Sequence, residues 1–175
     1  MKIYLGCDLF VEGQRKQALE IQRKLERLSP LVEVYNPADN LDINNKEAGF
    51  TSGANILLSD YERLSRSDIL IALMDTQDLG LAAEMGIAFE KGIPVLQLYT
   101  DIRLGGTDQT EKFDEMKKDP FQNDFLYINK LVTGISYVTK FGDKYGKPLI
   151  FRNQEELIKA VDERYLNYQP NGCEI

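Results

Sequence analysis

Between Asp78 and Glu90 only Glu84 carries charge; around it run Leu79-Gly80-Leu81-Ala82-Ala83 and Met85-Gly86-Ile87-Ala88-Phe89. A carboxylate on so apolar a segment loses hydration at a cost of several kcal/mol unless it is paired or hydrogen-bonded. Gly80 and Gly86 remove side chains from its neighbourhood and let a ligand or backbone approach. The plainer alternative is a helix that shows Glu84 to water along one narrow side. Two further acids converge on this region. Asp78 directly precedes the Glu84 helix, where an ordinary N-cap is the simple explanation. Asp60 lies on the preceding helix, roughly 60° from the centre of its apolar stripe by helical periodicity, and alone reads as a solvated edge charge. Tyr4 sits in the first strand, where core packing with the hydroxyl at the rim accounts for it equally well.

The rest of the composition narrows the chemistry. The chain of 175 residues has no histidine, so Ser–His and Cys–His catalysis and His-ligated zinc are excluded. Acid–base or nucleophilic work falls to Asp, Glu, Tyr, Lys or Cys. Cys7 and Cys173 stand at opposite ends, without metal-ligand spacing or a disulfide framework. A net charge of −7 with no concentrated basic patch argues against a polymeric nucleic-acid partner. No stretch approaches the ~20 apolar residues of a membrane span. The opening Met1-Lys2-Ile3-Tyr4-Leu5-Gly6 reads as a strand and not as a signal peptide, which predicts a cytoplasmic location.

The elements that must position these residues alternate. Strands are predicted at residues 2–7, 32–35, 68–74, 94–99 and 148–151. The run at 68–74 is almost wholly apolar, as a central parallel strand covered on both faces should be. Helices are predicted at 12–28, 54–65 (apolar stripe Ala54, Leu57, Tyr61, Leu64), 79–91, 109–118, 121–132 and 153–165. The Glu84 helix is apolar nearly all round and therefore expected to be buried. Gly92 closes it, and Asn153 with Glu156 opens the last helix. Polar loops are expected at 38–53 and 100–107, residues 133–147 carry no clear pattern, and the tail from 169 reads as irregular. Alternating strands and helices imply one α/β domain over residues 1–175. Its sheet should be doubly wound, mainly parallel and five-stranded, flavodoxin-like or Rossmann-like, with helices on both faces. Ligands of such sheets bind beyond the carboxyl ends of the strands, near the switch point.

Tyr4-Leu5-Gly6, the Asp60 helix, Ser67-Asp68, and Asp78-Leu-Gly-Leu-Ala-Ala-Glu84-Met-Gly-Ile-Ala together resemble the nucleoside 2-deoxyribosyltransferase family. The likeness extends through Gly92-Ile-Pro-Val and Tyr99-Thr-Asp-Ile-Arg103 to Asn129. It implies that Glu84 is the nucleophile, attacking C1′ of a deoxyribose to give a covalent deoxyribosyl-enzyme that a second base then resolves. It implies that Tyr4 orients Glu84, and that Asp60 and Asp78 assist protonation of the leaving base and binding. Gly6 and Phe10 are expected to line the substrate site. Asn129 is expected to reach the sugar hydroxyls of a neighbouring subunit's substrate. The chemistry is consistent, because an oxocarbenium-like transition state is served by carboxylates and a base leaves best when protonated. No metal or cofactor is needed.

The partners implied are deoxynucleosides and free nucleobases, with a lean to purines in the segment 99–129, and a homo-oligomer with shared sites. The apolar and aromatic residues of 121–132 exceed what one helical stripe buries, in keeping with an interface. The sequence departs from the family at Cys7-Asp8-Leu9-Phe10 and in the length of residues 140–147. Two alternatives compete: a 2′-deoxynucleoside 5′-monophosphate N-glycosidase, against which Asp8 would repel a phosphate, and a non-catalytic nucleotide-sensing module on the same scaffold.

Overall fold

A computed structural model describes residues 1–39, 52–101, 129–138 and 149–166. In chain order these contain β1 (Lys2–Gly6), α1 (Glu12–Glu26), β2 (Glu33–Tyr35), a 3-10 turn (Pro37–Asp39), α2 (Gly53–Ser65), β3 (Ile69–Leu73) and α3 (Leu79–Lys91). There follow β4 (Val95–Leu98), α4 (Lys130–Gly134), β5 (Ile150–Phe151), α5 (Gln154–Val161) and a π-helical turn (Asp162–Leu166). The expected helix at 109–118, most of the expected loops at 38–53 and 100–107, the stretch 140–147 and the tail from 169 lie outside the described residues.

The five strands pair in the order β2-β1-β3-β4-β5, and every pair is parallel. The chain runs outward from β1 to β2, then crosses back to β3 on the other side of β1. The switch point therefore falls between β1 and β3, where an α/β sheet opens its crevice. Alternation along the strands splits the core in two. Ile3 and Leu5 of β1, with Ile71 and Leu96, face α1 and α5. Tyr4, Leu70, Ala72 and Val95 face Leu64 of α2 and Leu81, Met85 and Ala88 of α3.

Local chemistry explains the helix ends. Ser52, Asp78, Asn129 and Asn153 each accept a first-turn amide at a helix N-terminus. Gly92 ends α3 at φ 73°, a left-handed position that suits glycine.

Four expectations change. Helix α2 does not bury its apolar stripe: Ala54, Leu57 and Tyr61 are exposed, Leu58 is 64% exposed, and within the helix only Leu64 is buried. It turns the partly buried Asp60 and Arg63 inward instead. Helix α3 is not buried all round either, because Leu79, Ala83, Gly86 and Glu90 form an exposed side. Of the helix expected over 121–132, residues 121–128 lie outside the described residues, and Asn129 is not helical but extended, capping α4. The last helix changes to π geometry at Asp162.

A buried amide anchors α4. Gln97 of β4 donates through Nε2 to the Val132 carbonyl (3.0 Å) and to Ser136 Oγ (2.8 Å), and accepts from Tyr99 Oη (2.7 Å). Ser136 Oγ in turn donates to the Val95 carbonyl at 2.7 Å. A polar residue inside a fully buried strand is tolerable only with such partners.

Candidate active site

Glu84 and Tyr4 come together across the switch point. Tyr4 points from β1 toward α3 and is fully buried, and its hydroxyl donates to Glu84 Oε1 at 2.7 Å. Their meeting follows from two periodicities. Tyr4 is the second-cluster residue of β1, and Glu84 stands one residue before the buried Met85, at the margin of the face of α3 that covers the sheet. The other carboxylate oxygen lies over Gly6. A Cβ at Gly6 would stand 3.0 Å from Glu84 Oε2 and 2.5 Å from Leu81 Cδ1. Glycine is therefore required here by space, since only a bare backbone lets the carboxylate lie against β1.

Burial pushes the Glu84 carboxyl up to about 7. The Tyr4 hydrogen bond works against that rise, while the charges of Asp60 and Asp78 add to it. Tyr4 itself is held as a phenol far above its ordinary range, by burial first and then by the negative charges of Glu84 and Asp60. Burial likewise raises the Cys7 thiol to about 12, with Glu84, Asp8 and Asp78 contributing. Cys7 is thus kept as a thiol and is a poor candidate nucleophile.

Asp60 and Asp78 flank this pair in different ways. Asp78 is the N-cap of α3, accepting the Leu81 amide at 2.6 Å, so the ordinary explanation holds and its charge also reaches Glu84. Asp60 is partly buried, and desolvation raises its carboxyl above the usual range. Arg63 and hydrogen bonding by Tyr35 and Tyr4 oppose that rise. It is not the solvated edge charge that its helical position suggested. Phe10 stands 71% exposed on the loop after β1, a loop turned by Asp8, whose Oδ1 accepts the Phe10 amide at 2.8 Å. Asn129 is exposed, its side-chain oxygen accepting the Leu131 amide at 3.0 Å. The structure thus unites Tyr4, Gly6 and Glu84, sets Asp60 and Asp78 within electrostatic reach, and places Phe10 and Asn129 at exposed positions.

Sequence reasoning missed three features. Asp75, just after β3, accepts the Thr100 and Asp101 amides at 2.6 and 3.1 Å and binds the Thr100 hydroxyl, fixing the turn after β4. Gln17 of α1 donates to the same hydroxyl at 3.0 Å. Tyr35 packs its ring 5.2 Å from that of Tyr4, and the Arg63 guanidinium lies 4.6 Å above Tyr35. Only Asp75 left a signal, as an acid at the carboxyl end of a central strand.

Fold and site define a doubly wound α/β protein with a tyrosine-bonded, desolvated carboxylate at its switch point. The chain belongs to the nucleoside 2-deoxyribosyltransferase family, whose model matches residues 3–119. Among solved structures it is similar to a conserved protein from Enterococcus faecalis V583, with 31% identity and a TM-score of 0.79, covering 94% of this chain and 98% of that one. It is also similar to a 2-deoxyribosyltransferase from Bacillus psychrosaccharolyticus (20% identity, TM-score 0.60, 97% and 93% covered). A CMP N-glycosidase from Clostridium botulinum shares the fold at 16% identity and a TM-score of 0.55, with 93% and 99% covered. A search among curated proteins gave no match. Among the described residues no helix is long and apolar enough to cross a membrane.

Proposed function

We propose that this protein transfers 2-deoxyribose between nucleobases through a covalent intermediate on Glu84. The observation that carries the reading is the Tyr4–Glu84 hydrogen bond, which fixes a desolvated carboxylate against the bare backbone of Gly6. Tyr4 holds Oε1 and leaves the second oxygen to attack. In the first step that oxygen bonds to C1′ while the C1′–N bond breaks, its electron pair leaving with the base. Asp60, whose carboxyl is raised by desolvation, delivers a proton to the departing base, and Asp78 assists in binding. In the second step a ring nitrogen of the acceptor base attacks C1′ as its N–H proton passes to the carboxylate that gave one up in the first step, and Glu84 leaves as carboxylate. A 2-deoxy sugar lacks the electron-withdrawing 2′-hydroxyl, so positive charge at C1′ develops more readily. Phe10 and Asn129 are assigned to substrate binding, and purines are the preferred bases.

The exposed apolar side of α2 supports an oligomer. Leu57, Leu58 and Tyr61 lie on the helix that carries Asp60, and an apolar patch left outward beside a site marks an interface. We assign the partners as deoxynucleosides, free bases and further copies of this chain, in the cytoplasm.

Nucleotide hydrolysis is the second reading, favoured by the fold shared with the Clostridium botulinum CMP N-glycosidase. Asp8 on the loop beside β1 opposes it, since a carboxylate repels a phosphate. One assay separates the two. Deoxyinosine with adenine should yield deoxyadenosine, and deoxyadenosine monophosphate should remain intact. Release of adenine from the monophosphate without exchange between nucleosides would reverse the assignment.

A further inference from the structure

Asp60 is placed to give a proton to the departing base, yet its own hydrogen bonding is unusual. Tyr4 has a single hydroxyl proton, and that proton is engaged with Glu84 at 2.7 Å. Asp60 therefore draws less support from Tyr4 than from Arg63 and Tyr35. Its Oδ1 is buried without a hydrogen-bond partner, and so is Arg63 Nη1 one turn further along α2. The Arg63 guanidinium lies 4.6 Å over the Tyr35 ring, whose centroid is 5.2 Å from that of Tyr4.

The neighbouring charges are otherwise engaged. Glu62 pairs with Arg66 at 2.7 Å, and Glu33 with Lys2 at 3.8 Å. These residues and Arg63 line a cavity of about 360 Å³ behind the site. The carboxylates there are matched by their own cations, which leaves the Arg63 charge directed at Asp60 and Tyr35.

We propose that Arg63 and Tyr35 are positioning residues, a stacked pair that holds Asp60 beside Tyr4 and Glu84. Neither touches substrate; both act through Asp60. The inference rests on the proposed reaction for its catalytic consequence and on geometry for its physical content. Four groups face Asp60: Arg63 on its own helix, Tyr35 from β2, Tyr4 from β1 and Glu84 from α3. Arg63 favours the ionised form by charge, and Tyr35 favours it by hydrogen bonding, against desolvation. Removing either should therefore raise the Asp60 midpoint.

The test reads Asp60 directly. Protein carrying ¹³C-carboxyl aspartate is titrated by NMR without substrate, and Asp60→Asn assigns the signal. Arg63→Met keeps the stem over Tyr35 and removes the charge, and should raise the midpoint by about one unit. Tyr35→Phe keeps the ring and should raise it by a smaller amount, while Arg63→Lys should restore it most of the way. With deoxynucleoside substrate, Arg63→Met should lower kcat about tenfold with KM nearly unchanged, as for a group that positions and does not bind. An Asp60 midpoint that stays in place in folded Arg63→Met and Tyr35→Phe, or one that Arg63→Lys fails to restore, overturns the proposal. Absence of base release by the wild-type protein would defeat the proposed reaction instead, and the titration would still decide whether the pair governs Asp60.

Discussion

The two faces of β1 are built for different ends. On one, Ile3 and Leu5 pack into an aliphatic layer between the sheet and helices α1 and α5. On the other, Tyr4 and Gly6 meet a desolvated glutamate, with Asp60 and Arg63 turned inward from α2. Adjacent residues of one strand thus serve stability and chemistry separately, because successive side chains of a strand point to opposite faces. The first face buries one polar side chain from α1, Gln14, whose Oε1 has no hydrogen-bond partner. The second face accepts buried polar atoms without partners, Asp60 Oδ1 and Arg63 Nη1 among them, of the kind that proteins retain mostly at functional sites.

The sharpest break in this comparison is a pair of variants. Glu84→Gln should keep the fold and leave less than about 1% of wild-type base exchange, since an amide cannot attack C1′. Leu5→Ala on the opposite face should lose about 2–5 kcal/mol of stability while each folded molecule turns over normally. Denaturant titration and exchange rates per folded protein measure both. An active Glu84→Gln, or a stable Leu5→Ala with impaired chemistry, would erase the division between the faces.

Gly6→Ala tests the close approach. The new methyl group would meet Leu81 Cδ1 at 2.5 Å and Glu84 Oε2 at 3.0 Å. The leucine tip can rotate away, whereas the carboxylate is tied to Tyr4. Exchange should fall at least about tenfold from that misplacement, with a smaller loss of stability. Unchanged kcat would show that the carboxylate has room to spare.

Tyr4→Phe should move a pH profile. The Tyr4 hydrogen bond favours ionised Glu84, so its loss should raise the Glu84 midpoint above about 7. The acid limb of kcat/KM should shift upward by about one unit, with a loss near pH 6 of about tenfold. A limb that stays in place would remove Tyr4 from the role of holding the charged nucleophile.

The smallest expected effect is on stability. Glu84 titrates near 7 when folded, against an ordinary value of 4.5. The unfolded chain therefore loses this proton first as pH rises, and folding stability should fall between about pH 4.5 and 7 and level off above. The cost reaches at most about 3 kcal/mol at 1.36 kcal/mol per unit. Urea titrations at pH 5 and pH 8 should show wild type losing more than Glu84→Gln, and equal losses would mean that the site holds its charge without penalty.

How much of this was legible in the sequence depended on where each signal resides. The apolar run at 68–74, the caps at Asp78 and Asn153 and the stop at Gly92 are local, and the elements they mark stand within a residue or so of where they were expected. The parallel five-stranded sheet followed from the alternation of elements. Tyr4 and Glu84 were singled out by type, yet the bond between them joins residues 80 apart and belongs to the topology. The orientation of α2 was misread because periodicity finds an apolar stripe without saying what covers it; Leu57 and Tyr61 face outward. The cap at Asn129 was hidden by the apolar residues around it in the sequence, although Asn is a strong capping residue. Arg63 and Tyr35 gave no signal, since a stacked cation and ring form only when α2 and β2 meet.

The central claim is that Glu84 becomes bonded to the sugar. Incubation with a 2-deoxy-2-fluoro nucleoside, whose fluorine slows the second step more than the first, should release base in one equivalent per site and add the mass of the fluorosugar to the protein. Peptide mapping should find that mass on the peptide containing Glu84, and addition of acceptor base should remove it. The adduct on Asp60 or Asp78, or steady base release without any adduct in the wild-type protein, would contradict the account.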